Sequence, residues 1–403
     1  MIILSYPSEW PYCSDEDKVI KSQITKLKYE VNRDCIVAVI DGCVKQEKSI
    51  WKNKKERIDG IDNDKNGYID DVNGWNFNTN TNDVFTKQQV HGSQIITCIN
   101  SVCTINNIKI LPLVVLNNKN KGNIRDIINA ITYAETQGAQ ICNLSVGTAV
   151  YDDRLQNCIK HSKMLFVVAA GNFGLNLDKK NNFWFPVSFN LENVISVASI
   201  NKKNELCSFS NYGKKTVDVA APGEDLKYCF NGKTQILSGT SFSAAYITGI
   251  AAVIYIVSDT KLHSYELKKY LLSTIVKSDK INVKSGGFIS FKKTLKDLKD
   301  KKWGANILKK SNKLNKLLLI FTLLGVIFIS LFIVCVVISL NNTSSHEILG
   351  IDALLLEFVL FITAIIFFTI ANILSVMYWK RKGNSIGIRQ AHKNIRKMFR
   401  GEK

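Results

Sequence analysis

Between residues 36 and 275 short apolar, β-branched runs alternate with stretches of helical periodicity. Ile36–Ile40, Ile108–Val115, Ile141–Val146, Leu165–Ala169 and Val194–Ile200 read as strands, and Gln94–Ile105, Asn123–Gln137 and Asp152–Ser162 as helices. Strands that are apolar throughout, rather than alternately, are covered on both faces; their alternation with helices predicts an α/β fold built on a doubly wound, mostly parallel sheet. In such folds the loops at the strand ends carry the site. A further helical run opens at Ser238-Gly239-Thr240-Ser241 and reaches about Val257.

The pattern changes after residue 315. Leu317–Leu340 and Ala353–Trp379 are long apolar stretches, the second interrupted only by Glu357. Each exceeds the roughly 20 residues that cross a bilayer core. The expected organisation is an N-terminal extension (1–29), an α/β domain (30–295), a basic linker (296–316), a transmembrane helix (317–340), a short loop (341–352), a second transmembrane helix (353–379) and a basic tail (380–403).

Charge sharpens this division. The chain carries a formal +19, but residues 292–316 hold ten Lys against Asp297 and Asp300, and residues 380–403 hold nine Lys or Arg against Glu402. What remains on residues 1–291 is +6, too modest for a nucleic-acid surface, so no nucleic-acid partner is expected. The loop Asn341–Asp352 has no Lys or Arg, whereas both outer flanks are basic. Positive flanks stay on the cytosolic side, so the two spans read as a transmembrane hairpin through the lipid bilayer, with residues 30–295 in the cytosol. Trp303 and Tyr378-Trp379 fit interfacial anchors. Met1–Pro7 has neither the basic start nor the apolar run of an export signal, although the first span could serve as one.

Ten cysteines form no CxxC pair and no Cys/His metal spacing, and Cys98, Cys142 and Cys158 sit in apolar stretches where a thiol packs as a small hydrophobe. The chemistry lies elsewhere. Val37-Ala38-Val39-Ile40-Asp41 is an apolar strand ending in a carboxylate. His91-Gly92-Ser93-Gln94 opens a helix, Val168-Ala169-Ala170-Gly171-Asn172 ends a buried strand in an amide, and Gly239-Thr240-Ser241 begins another helix. Singly, these are a turn Asp, a surface His, a turn Asn and a helix cap. In the order Asp, His, Asn, Ser they are much more specific.

With Asn143-Leu144-Ser145-Val146-Gly147, Phe209-Ser210-Asn211-Tyr212-Gly213 and Asp218-Val219-Ala220-Ala221-Pro222-Gly223, the chain resembles the subtilisin-like serine peptidases over roughly residues 30–295. The resemblance implies an endopeptidase acting on proteins or peptides through an acyl-enzyme on Ser241. His91 would be the general base and later acid, and Asp41 would orient His91 and stabilise the imidazolium. Asn172 and the Ser241 N–H would hold the oxyanion, and Leu144, Ser145, Val146 and Gly147 would pair with an extended substrate. Three positions depart from the family habit: Gly42-Cys43 after the acid, Gln94 three residues after the base, and Ala245 where proline is usual. None removes a catalytic group; the rival reading is an inactive scaffold of the same fold that binds proteins at a membrane.

The segment Asp62-Asn63-Asp64-Lys65-Asn66-Gly67-Tyr68-Ile69-Asp70-Asp71 spaces oxygen ligands about a turn glycine as calcium loops do. Asp62, Asp64, Asn66, Tyr68, Asp70 and Asp71 are the candidate ligands of a structural Ca2+. Asn73 stands at the twelfth position, so the loop is not an EF-hand. No catalytic metal is expected. Calcium suits a lumenal or extracellular domain, against the cytosolic placement drawn from charge. The approximately 35 residues before the first core strand are too few for the separate folding pro-region usual in this family, leaving truncation or a different maturation open.

Overall fold

The fold is given by a computed structural model, which describes residues 33–299 except 89, 103–105, 231–232 and 259, together with short strands at 4–5, 347–348 and 351–352. The first unit, Met1–Lys301, is organised on a nine-stranded sheet. Its strands are β2 (Cys35–Asp41), β3 (Trp75–Asn76), β4 (Ile108–Val114), β5 (Ile141–Leu144), β6 (Leu165–Ala169), β7 (Val194–Ile200), β8 (Val219–Pro222), β11 (Ile275–Lys277) and β12 (Gly287–Ile289). They lie in the order β11-β12-β8-β7-β6-β5-β2-β4-β3, and only the β11/β12 pair is antiparallel. The predicted parallel sheet is therefore present. Strands β6 and β7 have the bounds expected from sequence; β5 is shorter, because the chain leaves the ladder at Ser145.

Helices α1 (His91–Val102), α2 (Ile124–Thr136), α3 (Asp153–His161) and α4 (Thr240–Val257) cover the sheet, followed by α5 (Ser264–Ser273) and α6 (Phe291–Lys299). Alternate strand residues go to opposite faces. Ala38, Ile40, Leu111, Leu113, Cys142, Leu144, Phe166 and Val168 share one core with Ala130, Ile131, Tyr133 and Ala134 of α2 and Leu155 and Ile159 of α3. On the opposite face Asn143 of β5 accepts a 2.9 Å hydrogen bond from Thr248 of α4. Helix α4 is apolar all round because it is enclosed by the sheet and α1, the situation in which a helix needs no polar face. Among the described residues it is the one helix long and apolar enough to span a membrane, and its burial identifies it as a core helix.

A small antiparallel sheet, β1 (Leu4–Ser5), β9 (Leu226–Phe230) and β10 (Lys233–Leu237), leads into Ser238 and α4. The second unit is Lys302–Lys403. The two apolar stretches 317–340 and 353–379 lie outside the described residues; between them β13 (Glu347–Ile348) pairs antiparallel with β14 (Ile351–Asp352).

Candidate active site

The parallel register brings the C-terminal ends of β2, β5 and β6 to one edge. Ile40 lies beside Leu144, and Leu144 beside Val168. The chain crosses from β4 on one side of β2 to β5 on the other, so this edge holds the crevice in which α/β sheets place their sites. Asp41, the 144–147 segment and Asn172 all emerge there.

Asp41 is 1% exposed at the end of β2. Both of its oxygens face His91 Nδ1, at 3.0 and 2.9 Å, and Oδ1 also accepts the Gly42 N–H at 2.7 Å. The departure at Gly42 thus leaves the carboxylate held by the backbone of that residue. A carboxylate on Nδ1 fixes the tautomer that carries its proton there, which frees Nε2 to accept. Burial alone would lower the pKa of His91; the charge and hydrogen bond of Asp41 outweigh it, and the imidazole is raised above its usual 6.5.

His91 is the first residue of α1 and Ser241 the second of α4, and these helices pack along one another. Cys98 donates to the Phe242 carbonyl at 3.4 Å, and the His91 and Phe242 rings lie 5.8 Å apart, so the starts of the two helices, which carry His91 and Ser241, lie side by side. Lys45 N–H, bonded to Ser93 Oγ at 2.8 Å, ties the loop after Asp41 to the same turn.

Asn172 is oriented by Thr240. The Thr240 N–H and hydroxyl both point at Asn172 Oδ1, each at 2.9 Å. Because a backbone N–H can only donate, the oxygen must face Thr240, and the Nδ2 donors are turned to the other side. Thr240 Oγ1 in turn accepts the Gly171 N–H at 3.1 Å. Thr240 N–H is taken by Asn172 and Phe242 N–H by the Gly239 carbonyl; among the described residues Ser241 N–H has no partner. A free N–H in the first turn of a helix is suited to an anion.

Sequence reasoning quoted the segment around Asn211 without a role for it. Asn211 is wholly buried; its amide accepts Phe173 N–H at 3.2 Å and Leu175 N–H at 3.0 Å and donates to the Ala170 carbonyl at 2.9 Å. It fixes the chain on either side of Asn172, which turns through Gly171 at φ +100°. A side chain there would meet Asn211 Nδ2 at 2.4 Å. Of the cleft residues, Leu144 is buried in β5, whereas Ser145 and Val146 are half-buried and Gly147 exposed. Among the described residues, 145–147 make no backbone hydrogen bonds, leaving an open strand edge.

In the acidic loop the structure brings two of the four expected carboxylates together with a further one. Glu56, Asp62 and Asp64 place carboxylate oxygens within 4.8 Å of one another. Asp71 is instead fully buried and accepts from Asn53, Asn66 and the Tyr133 hydroxyl, at 2.8, 2.7 and 2.6 Å. Asp70 caps the Asp59 and Gly60 N–H groups, at 2.9 Å each. Asn66 bridges Asp71 and the Tyr68 N–H, and the Tyr68 ring packs on Trp75, Phe77 and Tyr133. Asp70, Asp71, Asn66 and Tyr68 thus shape the loop around the cluster. Glu56 precedes the ligand-like spacing, so no motif pointed to it. Its Oε1 accepts Asp64 N–H at 2.7 Å, while its buried Oε2 has no hydrogen-bond partner. A buried carboxylate oxygen without a donor, beside two further carboxylates, fits a hard cation.

Fold and site together define an α/β scaffold with a carboxylate–imidazole pair, a serine in the first turn of a helix and an oriented amide at one sheet edge. The chain belongs to the Subtilase family, which residues 32–303 match. It is 36% identical over 152 residues to the thermophilic serine proteinase of Bacillus sp. (strain AK1), covering 37% of this chain and 36% of that one. It is 35% identical over 149 residues to thermitase of Thermoactinomyces vulgaris, covering 36% and 50%. The aligned segments thus span about a third to a half of these relatives. A lanthipeptide protease crystal structure shares the fold, with a TM-score of 0.56 over 72% of this chain and 94% of that one at 20% identity.

Proposed function

We propose that the chain is a serine endopeptidase anchored to a membrane by its C-terminal hairpin and stabilised by calcium. The observation that carries the reading is the buried Asp41 carboxylate on His91 Nδ1, 2.9 Å away, on a helix packed against the one that Ser241 begins. His91 takes the Ser241 proton as Oγ attacks the peptide carbonyl, and Asp41 stabilises the resulting imidazolium. Asn172 Nδ2 and the Ser241 N–H receive the oxyanion. His91 then protonates the leaving amine, and water releases the acyl group by the same steps. Substrate pairs as an extended strand with residues 144–147.

Glu56, Asp62 and Asp64 would hold the calcium, which supplies charge compensation and ties the connection between Asp41 and His91. Sequence supports the membrane anchor: two uncharged-to-nearly-uncharged stretches, 317–340 and 353–379, flanked by basic segments. The loop between them includes the β13–β14 pair.

A fluorophosphonate probe tests the catalytic reading. Full-length protein in detergent with calcium is expected to label, and Ser241→Ala to abolish labelling. Failure of the wild-type protein to label, or labelling that persists in Ser241→Ala, would overturn it.

A further inference from the structure

One large side chain enters the cleft from outside the motifs. Trp184 lies between the open edge 145–147 and the turn before Asn172. A Cβ built on Gly147 would stand 2.5 Å from Trp184 Nε1 and 2.6 Å from Cε2; one on Gly171 would stand 3.0 Å from Nε1 and 3.1 Å from Cδ1. The indole therefore bridges the two segments and can touch both only because each presents a glycine.

It is also held in place. Trp184 N–H donates to Ser188 Oγ at 3.0 Å, and Ser188 N–H donates to the Trp184 carbonyl at 2.9 Å. The next residue, Phe185, exchanges backbone hydrogen bonds with Thr148, at 3.0 and 2.7 Å, which fixes this segment to the chain just after Gly147. The Phe173 ring closes on the indole edge-on, with centroids 5.0 Å apart.

The location has a consequence for substrate, resting on the peptidase reading above. The residue whose carbonyl is attacked must place its oxygen at Asn172 Nδ2 and its backbone along 145–147. Its Cβ then starts between Gly147 and Gly171, where the indole already fills the space. We infer that Trp184 is a specificity-determining residue that floors the slot for the acyl-side residue and restricts it to Gly, Ala or Ser. A Leu or Phe side chain there would need the indole to leave a site held by a paired turn and an aromatic neighbour.

The test is a peptide series differing only at the acyl-side residue (Gly, Ala, Leu, Phe), assayed with full-length enzyme whose active fraction is counted by fluorophosphonate labelling. Wild type is expected to favour Ala over Phe by at least about 100-fold in kcat/KM, the scale on which a filled pocket rejects added carbon. Trp184→Ala should lower that ratio at least tenfold, with Trp184→Phe between the two. Labelled wild-type enzyme that cleaves Leu or Phe peptides as fast as Ala would overturn the assignment, as would a ratio unchanged in either folded variant. Absence of labelling in wild type would instead overturn the peptidase reading. Should Trp184→Ala not fold, the wild-type series and Trp184→Phe still decide.

Discussion

In the proposed mechanism Asn172 has two separable jobs, and two substitutions distinguish them. Its Oδ1 holds Thr240 through two 2.9 Å hydrogen bonds, which turns Nδ2 away from Thr240. Asn172→Ala removes both: about 1 kcal/mol of stability per lost hydrogen bond, plus the oxyanion donor, whose loss typically costs about 2.7–4 kcal/mol of transition-state energy, or 10²–10³ in kcat. Asn172→Asp keeps an acceptor for Thr240 but has no donor and sets a negative charge against the developing one. If the side chain served only to position Thr240, Asp would rescue Ala. If Nδ2 stabilises the oxyanion, Asp must be at least as inactive as Ala while unfolding at a higher temperature. Steady-state kinetics on one peptide ester, normalised by active-site labelling, together with thermal melts, measure both quantities. An Asn172→Asp enzyme within tenfold of wild type in kcat would refute the reasoning.

Three further outcomes follow from the site. The His91 pKa is raised above 6.5, so kcat/KM should rise with pH through a midpoint above 6.5, read from the acidic limb of a pH profile. Because the folded pKa lies above the unfolded one, the pair's stability contribution is complete below the unfolded value and is lost as pH rises through the folded one. In Asp41→Asn, burial acts without the opposing charge, so the limb should move to lower pH while kcat falls about 10⁴-fold; histidine NMR titration reads the shift directly. Chelation should lower the melting temperature by about 5–10 °C, the effect of roughly 2.7 kcal/mol at a hundredfold excess of ion over Kd, and Glu56→Gln should reduce that calcium dependence.

The sheet was legible because its strands are apolar on both faces, a pattern that only a doubly covered parallel sheet satisfies, and Leu165–Ala169 and Val194–Ile200 match it to the residue. The errors lie at boundaries. The helical periodicity spans Gln94–Ile105, whereas α1 begins at His91, where the His91-Gly92-Ser93-Gln94 segment opens a helix, because neither Gly92 nor Ser93 carries apolar periodicity. Within the site, residues in motifs were visible, whereas the contacts that tertiary packing gives them, and the residues outside the motifs, were not. Thr240 and Asn211 act by hydrogen bonds to segments about 40 to 70 residues away in sequence, Trp184 by filling space, and Glu56 by folding back eight residues to Asp64. The loop spacing also points to Asp71 as a ligand, and the structure gives that residue other partners. It has the right residue type in the right place for a ligand, but α2 brings the Tyr133 hydroxyl to it, and a carboxylate taking three donors in the core has little left for a cation.

That arrangement also fixes what calcium can influence. Asn53 donates to both Asp64 and Asp71, joining the acidic cluster to the buried acid, and Asp71 is in turn bonded to α2. Burial, and then the bond to Asp71, push the Tyr133 phenol far above its ordinary pKa, so the contact persists as a neutral donor at any working pH. Nearby, Trp51 N–H bonds to the Ile110 carbonyl and Ile110 N–H to the Ser49 carbonyl, seating the start of this connection on β4. The load path from a cation held in the acidic cluster would therefore run to β4 and α2. His91 is positioned by different contacts: the Asp41 carboxylate and the packing of α1 on α4. Calcium should then govern how long the fold survives, not the proton affinity of the base. Chelated enzyme assayed well below its melting point should keep the acidic limb of its pH profile unmoved; a limb that shifted with calcium would mean that the loop and the imidazole are coupled through a route other than these contacts.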